Sequence, residues 1–138
     1  MRLFKWSKAK AVFLPEIDDE HRVIYQVGGE LRQALDDGAP LFQVQEILHR
    51  LISSVEDHFS HEERLMRAEH YPTFDWHRQQ HETVRKRMRH FAPLIEAGDT
   101  EAGAALTEFL SNWLRDHTGL TDRMMGAFLR NRQRAHIA

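Results

Sequence analysis

Cysteine is absent from the 138 residues of this chain. Its absence excludes disulfide bonds, thiolate metal sites, iron–sulfur clusters and cysteine nucleophiles. A chain without cysteine also suits a reducing compartment, so we expect a cytoplasmic protein.

Long apolar runs and an excess of charge of one sign are missing as well. No segment is apolar over the roughly 18 residues that a membrane span requires. The start, residues 1–6, lacks the apolar run and small-residue cleavage site of a secretory signal. The formal net charge is -2, which gives no electrostatic reason to expect binding to nucleic acid or to an anionic membrane.

The length suits a single domain with one core. We expect that domain to span residues 1–138, with an N-terminal arm at 1–16, a helical bundle at 17–122 and a C-terminal helical tail at 123–138. Pro15 followed by Asp18 or Asp19 as an N-cap is predicted to open the first helix.

Apolar residues recur at three-and-four spacing in four segments, which is typical of amphipathic helices. Short turn-forming stretches at 37–40, 71–73 and 98–100 separate these segments. Because such short connections favour antiparallel neighbours, the sequence predicts an all-α, up-down-up-down antiparallel four-helix bundle.

Histidine is the residue type in surplus, with ten copies. Five of them and one glutamate fall on the predicted apolar faces, spread over all four helices: His21, His58, Glu62, His77, His81 and His117. Buried polar groups need partners, and an unpaired buried carboxylate is costly. A shared metal site explains all six residues together.

The spacing of these residues supports the same interpretation. His58 and Glu62 are four residues apart, as are His77 and His81, so each pair shares one helix face. Asp122 follows His117 by five residues, and that step leaves side chains about 140° apart on an ideal helix. We therefore predict a π-type irregularity near residues 118–119 that brings His117 and Asp122 together.

In their order and spacing, these six residues together with Asp122 resemble the ligand signature of the hemerythrin family, in its single-domain bacterial form. The sequence segments around them, at residues 17–21, 58–63 and 113–117, also resemble this family. The likeness covers roughly residues 6–130.

The resemblance implies that His77, His81 and His117 bind one iron ion and that His21 and His58 bind the other. It implies that Glu62 and Asp122 bridge both ions, together with an oxo or hydroxo group. The iron with two histidines keeps an open position. The implied function is therefore reversible binding of dioxygen by an oxygen carrier, store or delivery protein.

The resemblance also implies an apolar pocket around the open position, with these walls: Ile24, Phe59, Trp113, Leu114, Thr118 and Met125. Thr118 departs from the family, which usually has a larger aliphatic residue at that place. We expect its hydroxyl and smaller volume to admit water and to speed autoxidation. Replacing Thr118 with isoleucine is then expected to lengthen the lifetime of the oxygenated form.

Several alternatives use the same centre. An O2 sensor would need a separate signalling partner, and a carrier would serve an O2-consuming one. A di-iron oxidase, peroxidase or nitric oxide reductase would need acid–base groups near the open position. The predicted pocket offers only Thr118 beyond the ligands, so we expect no enzyme and no catalytic residue. A purely structural metal site leaves the uneven division of histidines unexplained.

Two further motifs have simpler interpretations. Glu46 and His49 match one Glu-x-x-His motif of the ferritin-like di-iron proteins, but the second copy that this fold needs is absent. The basic run at residues 85–87, together with Arg89, flanks the predicted core positions Val84 and Met88. It is interpreted as the solvated face of the third helix.

Overall fold

The computed structural model describes residues 3–137. Residues 1, 2 and 138, the ends of the predicted arm and tail, lie outside the described part. The described chain folds into five α-helices with no strand: α1 Pro15–Asp36, α2 Leu41–Ala68, α3 Phe74–Glu96, α4 Thr100–Asp116 and α5 Asp122–Ile137. A short 3-10 turn at Lys8–Lys10 interrupts the arm, and a π-helical turn at His117–Thr121 joins α4 to α5.

The first four helices form the bundle. Helix α1 packs against α2 and α4, and α3 packs against the same two helices. The helices therefore stand at the corners of the bundle in chain order, with a short turn reversing the chain at each corner. The prediction of an all-α four-helix bundle is confirmed.

Local sequence explains where the helices begin and end. Gly38 and Gly98 follow α1 and α3 with φ of 64° and 97°, a left-handed conformation that glycine adopts without steric cost. Asp99 caps α4 by accepting a hydrogen bond from the Ala102 amide at 3.0 Å.

The predicted N-cap of α1 is wrong. Helix α1 already begins at Pro15, because proline has the right φ for a first helical position and has no amide hydrogen to satisfy. Asp18 lies inside this first turn. Its carboxylate instead accepts from the backbone amides of Val12 and Phe13, at 2.8 and 3.1 Å, and so ties the arm to α1.

Two apolar clusters form the core. The larger one fills the space between the four helices and includes Ile24, Phe59, Val84 and Leu114. The smaller one joins the arm, the end of α2 and α5 through these residues: Val12, Leu14, Ile17, Met66, Tyr71, Met125 and Leu129. Along each helix, the predicted ligands fall between residues of the two clusters. The histidines and carboxylates therefore occupy a polar layer enclosed by apolar side chains.

None of the described helices combines the length and the apolarity that would carry it across a bilayer.

Candidate metal centre

All seven predicted ligand side chains meet inside the bundle. Their exposed fractions are between 0% and 3%, for His21, His58, Glu62, His77, His81, His117 and Asp122. They come from α1, α2, α3, the π-turn and the first residue of α5. Each ligand pair with four-residue spacing lies on one helix face that points to the same interior point.

The predicted irregularity is present as the π-helical turn at His117–Thr121. The amide of Asp122 donates to the carbonyl of His117, so this turn spans five residues instead of four. The wider turn removes the angular offset of the five-residue step. It places His117 Nε2 at 3.0 Å from Asp122 Oδ1.

The ligand atoms form two groups, in each of which all atoms lie within 4.8 Å of one another. The first group holds Glu62, His77, His81, His117 and Asp122, and the second holds His21, His58, Glu62 and Asp122. The groups are unequal, with three histidines against two, and they share both carboxylates.

Each shared carboxylate directs one oxygen to each group. Glu62 Oε1 lies 3.1 Å from His81 Nε2, and Glu62 Oε2 lies 3.1 Å from His58 Nε2. Asp122 Oδ1 lies 3.0 Å from His77 Nε2, whereas Oδ2 lies 3.0 Å from His21 Nε2. Two carboxylates in this orientation can bridge a pair of cations.

These short distances are not hydrogen bonds. Both oxygens of Glu62 and of Asp122 are buried without a hydrogen-bond partner, and so are the Nε2 atoms of His21, His77, His81 and His117. Unpaired buried polar atoms are rare in proteins. Here they converge on common points, which a cation would satisfy. Imidazole nitrogen with carboxylate oxygen is a donor set that suits first-row transition metals, so these residues fit a metal-binding cluster.

The pKa values of the buried groups in the metal-free protein also favour metal binding at this cluster. Burial raises the pKa of Glu62, but the charge of His58 and contacts with several histidines outweigh it and hold that pKa well below its ordinary value. Burial lowers the pKa of His58, yet Glu62 and Glu20 raise it to about 10. The raised pKa of His58 favours a protonated ring that offsets the charge of Glu62, and a bound metal would displace that proton.

Three ligand histidines have a hydrogen-bond acceptor for their second nitrogen. His58 Nδ1 donates to Glu20 Oε1 at 2.7 Å, and His81 Nδ1 donates to Glu63 Oε2 at 2.8 Å. His117 Nδ1 donates to Gln80 Oε1 at 2.8 Å. Such bonds fix the ring so that Nε2 faces the metal. For His21 and His77, no Nδ1 partner exists among the described residues.

Sequence reasoning missed Glu20, Glu63 and Gln80, although a pattern links them. Each follows or precedes one predicted ligand by a single position: Glu20 adjoins His21, Glu63 adjoins Glu62, and Gln80 adjoins His81. One position corresponds to about 100° of rotation about a helix axis. The neighbour therefore points toward the adjacent helix, where it supports a ligand other than the one it adjoins.

The walls of the predicted pocket are mostly found together. Ile24, Phe59 and Leu114 are buried in the larger apolar cluster, and half-buried Trp113 packs against it. The Phe59 ring stacks on His81 at 3.9 Å between centroids, and the Trp113 ring stacks on His117 at 4.1 Å. These rings restrict the orientation of the two imidazoles.

The two remaining residues of the predicted walls, Met125 and Thr118, make other contacts. Met125 packs in the smaller cluster, with Met66 and Tyr71, and not in the larger one. Thr118 is buried, and its hydroxyl lies 3.1 Å from the hydroxyl of Tyr25, which sequence reasoning did not place at the pocket. The apolar spacing of α1 indicates a core position for Tyr25 and gives no signal for the role of its hydroxyl.

Comparisons with known proteins agree with this geometry. Residues 12–129 match a family model described as the hemerythrin HHE cation binding domain. The chain is 26% identical to a bacteriohemerythrin of Methylococcus capsulatus, over 94% of this chain and 98% of that protein. It is 32% identical to a bacteriohemerythrin of Ralstonia nicotianae, over 96% and 93% of the two chains.

A search of solved structures gives the same result. The fold superposes on the crystal structure of a hemerythrin with a single substitution, with a TM-score of 0.84 and 25% sequence identity. The match covers 94% of this chain and 98% of the other.

Proposed function

The chain belongs to the hemerythrin family, and from this premise we propose that it binds dioxygen reversibly at a non-haem, carboxylate-bridged di-iron centre. The observation that carries the proposal is the pair of unequal ligand groups that share both carboxylates. A purely structural site has no need of this inequality.

We assign the ligands accordingly. His77, His81 and His117 hold one iron ion, and His21 and His58 hold the other. Glu62 and Asp122 would hold both ions, and an oxo or hydroxo group would complete the centre. When bound, the pair of irons supplies two electrons to dioxygen and recovers them when the gas leaves.

The count of protein ligands explains where dioxygen enters. The group with three histidines offers five protein donors, so together with the oxo or hydroxo group it would fill six positions. The group with two histidines offers four protein donors, so it would fill five positions and leave one open. We therefore expect the side of His21 and His58 to be the one open to dioxygen.

The surrounding side chains keep this position dry. Ile24, Phe59 and Leu114 have exposed fractions of 0%, 1% and 2%. Excluding water withholds the protons that would release reduced oxygen from the site, so the apolar walls favour carriage over turnover. We accordingly propose a carrier, store or delivery protein and not an enzyme.

The test is a gas-cycling experiment. The full chain is loaded with ferrous iron under argon, its iron content is measured, and the visible spectrum is followed while air and argon alternate. We expect two irons per chain and a charge-transfer band that appears with air and disappears with argon. Irreversible oxidation in the first cycle would contradict the carrier function and would favour an oxidase.

A pair of variants shows whether the assigned ligands produce the band. His21→Ala removes a ligand of the open side, whereas His90→Ala removes an exposed histidine of α3. We expect His21→Ala to abolish the reversible band and His90→Ala to keep it. Loss of the band in both variants would mean that the assignment of the open side is wrong.

A further inference from the structure

Arg85 is the member of the basic run whose sequence interpretation is wrong. Lys86 and Arg87 are exposed, as expected of a solvated face, but the side chain of Arg85 is only 13% exposed. It is four residues after His81, so both side chains leave α3 on the same side. Arg85 therefore points along the bundle toward the ligand and not into solvent.

A group of three glutamates surrounds the guanidinium. Arg85 Nη1 donates to Glu63 Oε2 at 2.9 Å and to Glu82 Oε1 at 2.7 Å. Arg85 Nε donates to Glu56 Oε2 at 2.9 Å. Glu63 is the most buried of the three, with 15% of its side chain exposed against 51% for Glu56. The bond to Glu63 is therefore the least screened by solvent.

Arg85 touches both groups that hold the ring of His81. Glu63 Oε2 accepts from His81 Nδ1 at 2.8 Å, and this same oxygen accepts from Arg85. The guanidinium also lies 5.4 Å from the centroid of the Phe59 ring, which stacks on His81. One cation thus fixes the hydrogen-bond acceptor and the stacking partner of a single imidazole.

This arrangement has an electronic consequence. A carboxylate that accepts from Nδ1–H makes the imidazole a stronger donor, and a stronger donor favours the higher oxidation state of a metal on Nε2. A guanidinium on the same carboxylate oxygen withdraws part of that negative charge. The acceptor of His58 has a different second partner, because Glu20 also accepts from the ring of His61 at 2.7 Å.

We propose that Arg85 is a positioning residue that neutralises Glu63 and so sustains the ferrous state of the iron held by His77, His81 and His117. This inference rests on the proposed di-iron function. Without the guanidinium, Glu63 would keep its full negative charge and make His81 a stronger donor. The ferric state of the iron would then be more stable relative to the ferrous state.

The first test uses zinc, which has no redox chemistry. Wild type, Arg85→Gln and the control Arg89→Gln, an exposed arginine on α3, are loaded with zinc. The His81 Nδ1 proton is then located by NMR. We expect it downfield of the wild-type position in Arg85→Gln, because its bond to Glu63 strengthens, and unmoved in Arg89→Gln. An unmoved proton in Arg85→Gln would overturn the proposal.

The second test is the reduction potential of the iron-loaded proteins. We expect Arg85→Gln to favour the ferric state about tenfold, which corresponds to a potential lower by about 59 mV for one electron. Arg85→Lys keeps the charge and should recover most of the shift. An unchanged or raised potential in Arg85→Gln, or an equal fall in Arg89→Gln, would overturn the proposal.

Glu63→Gln separates this electronic role from a merely structural one and also serves if Arg85→Gln fails to fold. It should raise the potential, and adding Arg85→Gln to it should produce no further shift. A full shift in that double variant would overturn the proposal. If wild type binds zinc but shows no reversible band with iron, the proposed function fails, while the zinc experiment still decides whether Arg85 acts on His81.

Discussion

The phenol of Tyr25 donates a hydrogen bond to Thr118 Oγ1, with 3.1 Å between the oxygens. The direction follows from the other bond of Thr118, whose hydroxyl donates to the carbonyl oxygen of Leu114 at 2.5 Å. A hydroxyl has one proton to give, so Tyr25 must be the donor. Burial raises the pKa of Tyr25 to about 12, which keeps this donor protonated at neutral pH.

This pair changes the expectation for Thr118. The hydroxyl is not free to recruit water, because it is engaged by Tyr25 and Leu114. Replacing Thr118 with isoleucine alone would leave the phenol of Tyr25 buried without an acceptor. That costs about 1–3 kcal/mol of unfolding free energy and exposes the pocket to a proton donor.

We therefore predict that Thr118→Ile lengthens the lifetime of the oxygenated form only in combination with Tyr25→Phe, which removes the phenol. Urea unfolding of the zinc-loaded proteins should show a loss in Thr118→Ile that the double variant largely recovers. Autoxidation of the iron-loaded proteins should be fastest in Thr118→Ile and slowest in the double variant. A single Thr118→Ile variant as stable as wild type would contradict the hydrogen-bond assignment.

The shared carboxylates and the unshared histidines predict different metal contents. Glu62→Ala removes a ligand from both groups, so we expect it to retain less than one metal per chain. His21→Ala removes a ligand from one group, so we expect close to one metal. Elemental analysis after loading with excess zinc and desalting checks both values. Equal contents in the two variants would argue against bridging by Glu62.

The pKa shifts predict how the stability of the metal-free protein depends on pH. In the folded state, burial lowers the pKa values of His58 and His77, but nearby carboxylates raise them to about 10 and about 9. The unfolded value is about 6.5. A raised folded pKa gives stability that is complete below the unfolded pKa and is lost as pH rises through the folded pKa. We expect the melting temperature to fall between pH 6 and pH 9.

Metal should reverse this trend. Zinc requires neutral imidazoles, so its binding strengthens as pH rises over the same interval. Thermal melts of metal-free and zinc-loaded protein at pH 6, 7.5 and 9 should therefore diverge as pH increases. A metal-free melting temperature that rises with pH would show that protonated histidines do not balance Glu62 and Asp122.

Two glycines near the site test the packing of the arm. A Cβ on Gly126 would lie 2.8 Å from the backbone oxygen of Val12, whereas nothing lies within 4 Å of a Cβ on Gly119. We expect Gly126→Ala to lose about 1–3 kcal/mol of unfolding free energy through overpacking. Gly119→Ala should gain about 0.4–1 kcal/mol, because alanine restricts the unfolded chain.

Urea unfolding of the zinc-loaded variants measures both changes. Equal stabilities of the two variants would mean that the arm does not press on α5 at this point.

Local patterns in the sequence were enough for the bundle and for the seven buried side chains of the centre. Helical spacing depends only on the geometry of one segment, so the faces that carry His58 with Glu62, and His77 with His81, could be read directly. The five-residue step from His117 to Asp122 also indicated the π-turn. The start of α1 was misplaced because a capping preference was favoured over the stronger influence of Pro15.

The contacts between the histidines of the centre and their polar neighbours could not be predicted without the tertiary fold. Glu63 and His81 lie on different helices, as do Arg85 and Glu63, and Tyr25 and Thr118 are separated by 93 positions. Spacing within a helix gives the face on which a side chain lies. It does not give the neighbour that this face meets, because helix rotation and crossing are set by packing of the whole core.

The sequence by itself therefore determined the four-helix bundle, the buried histidine and carboxylate side chains that meet inside it, and the irregular turn. Only the packing of the four helices decided which polar neighbours support His58, His81 and His117, where the charge of Arg85 is directed, and that the hydroxyl of Thr118 is already bound.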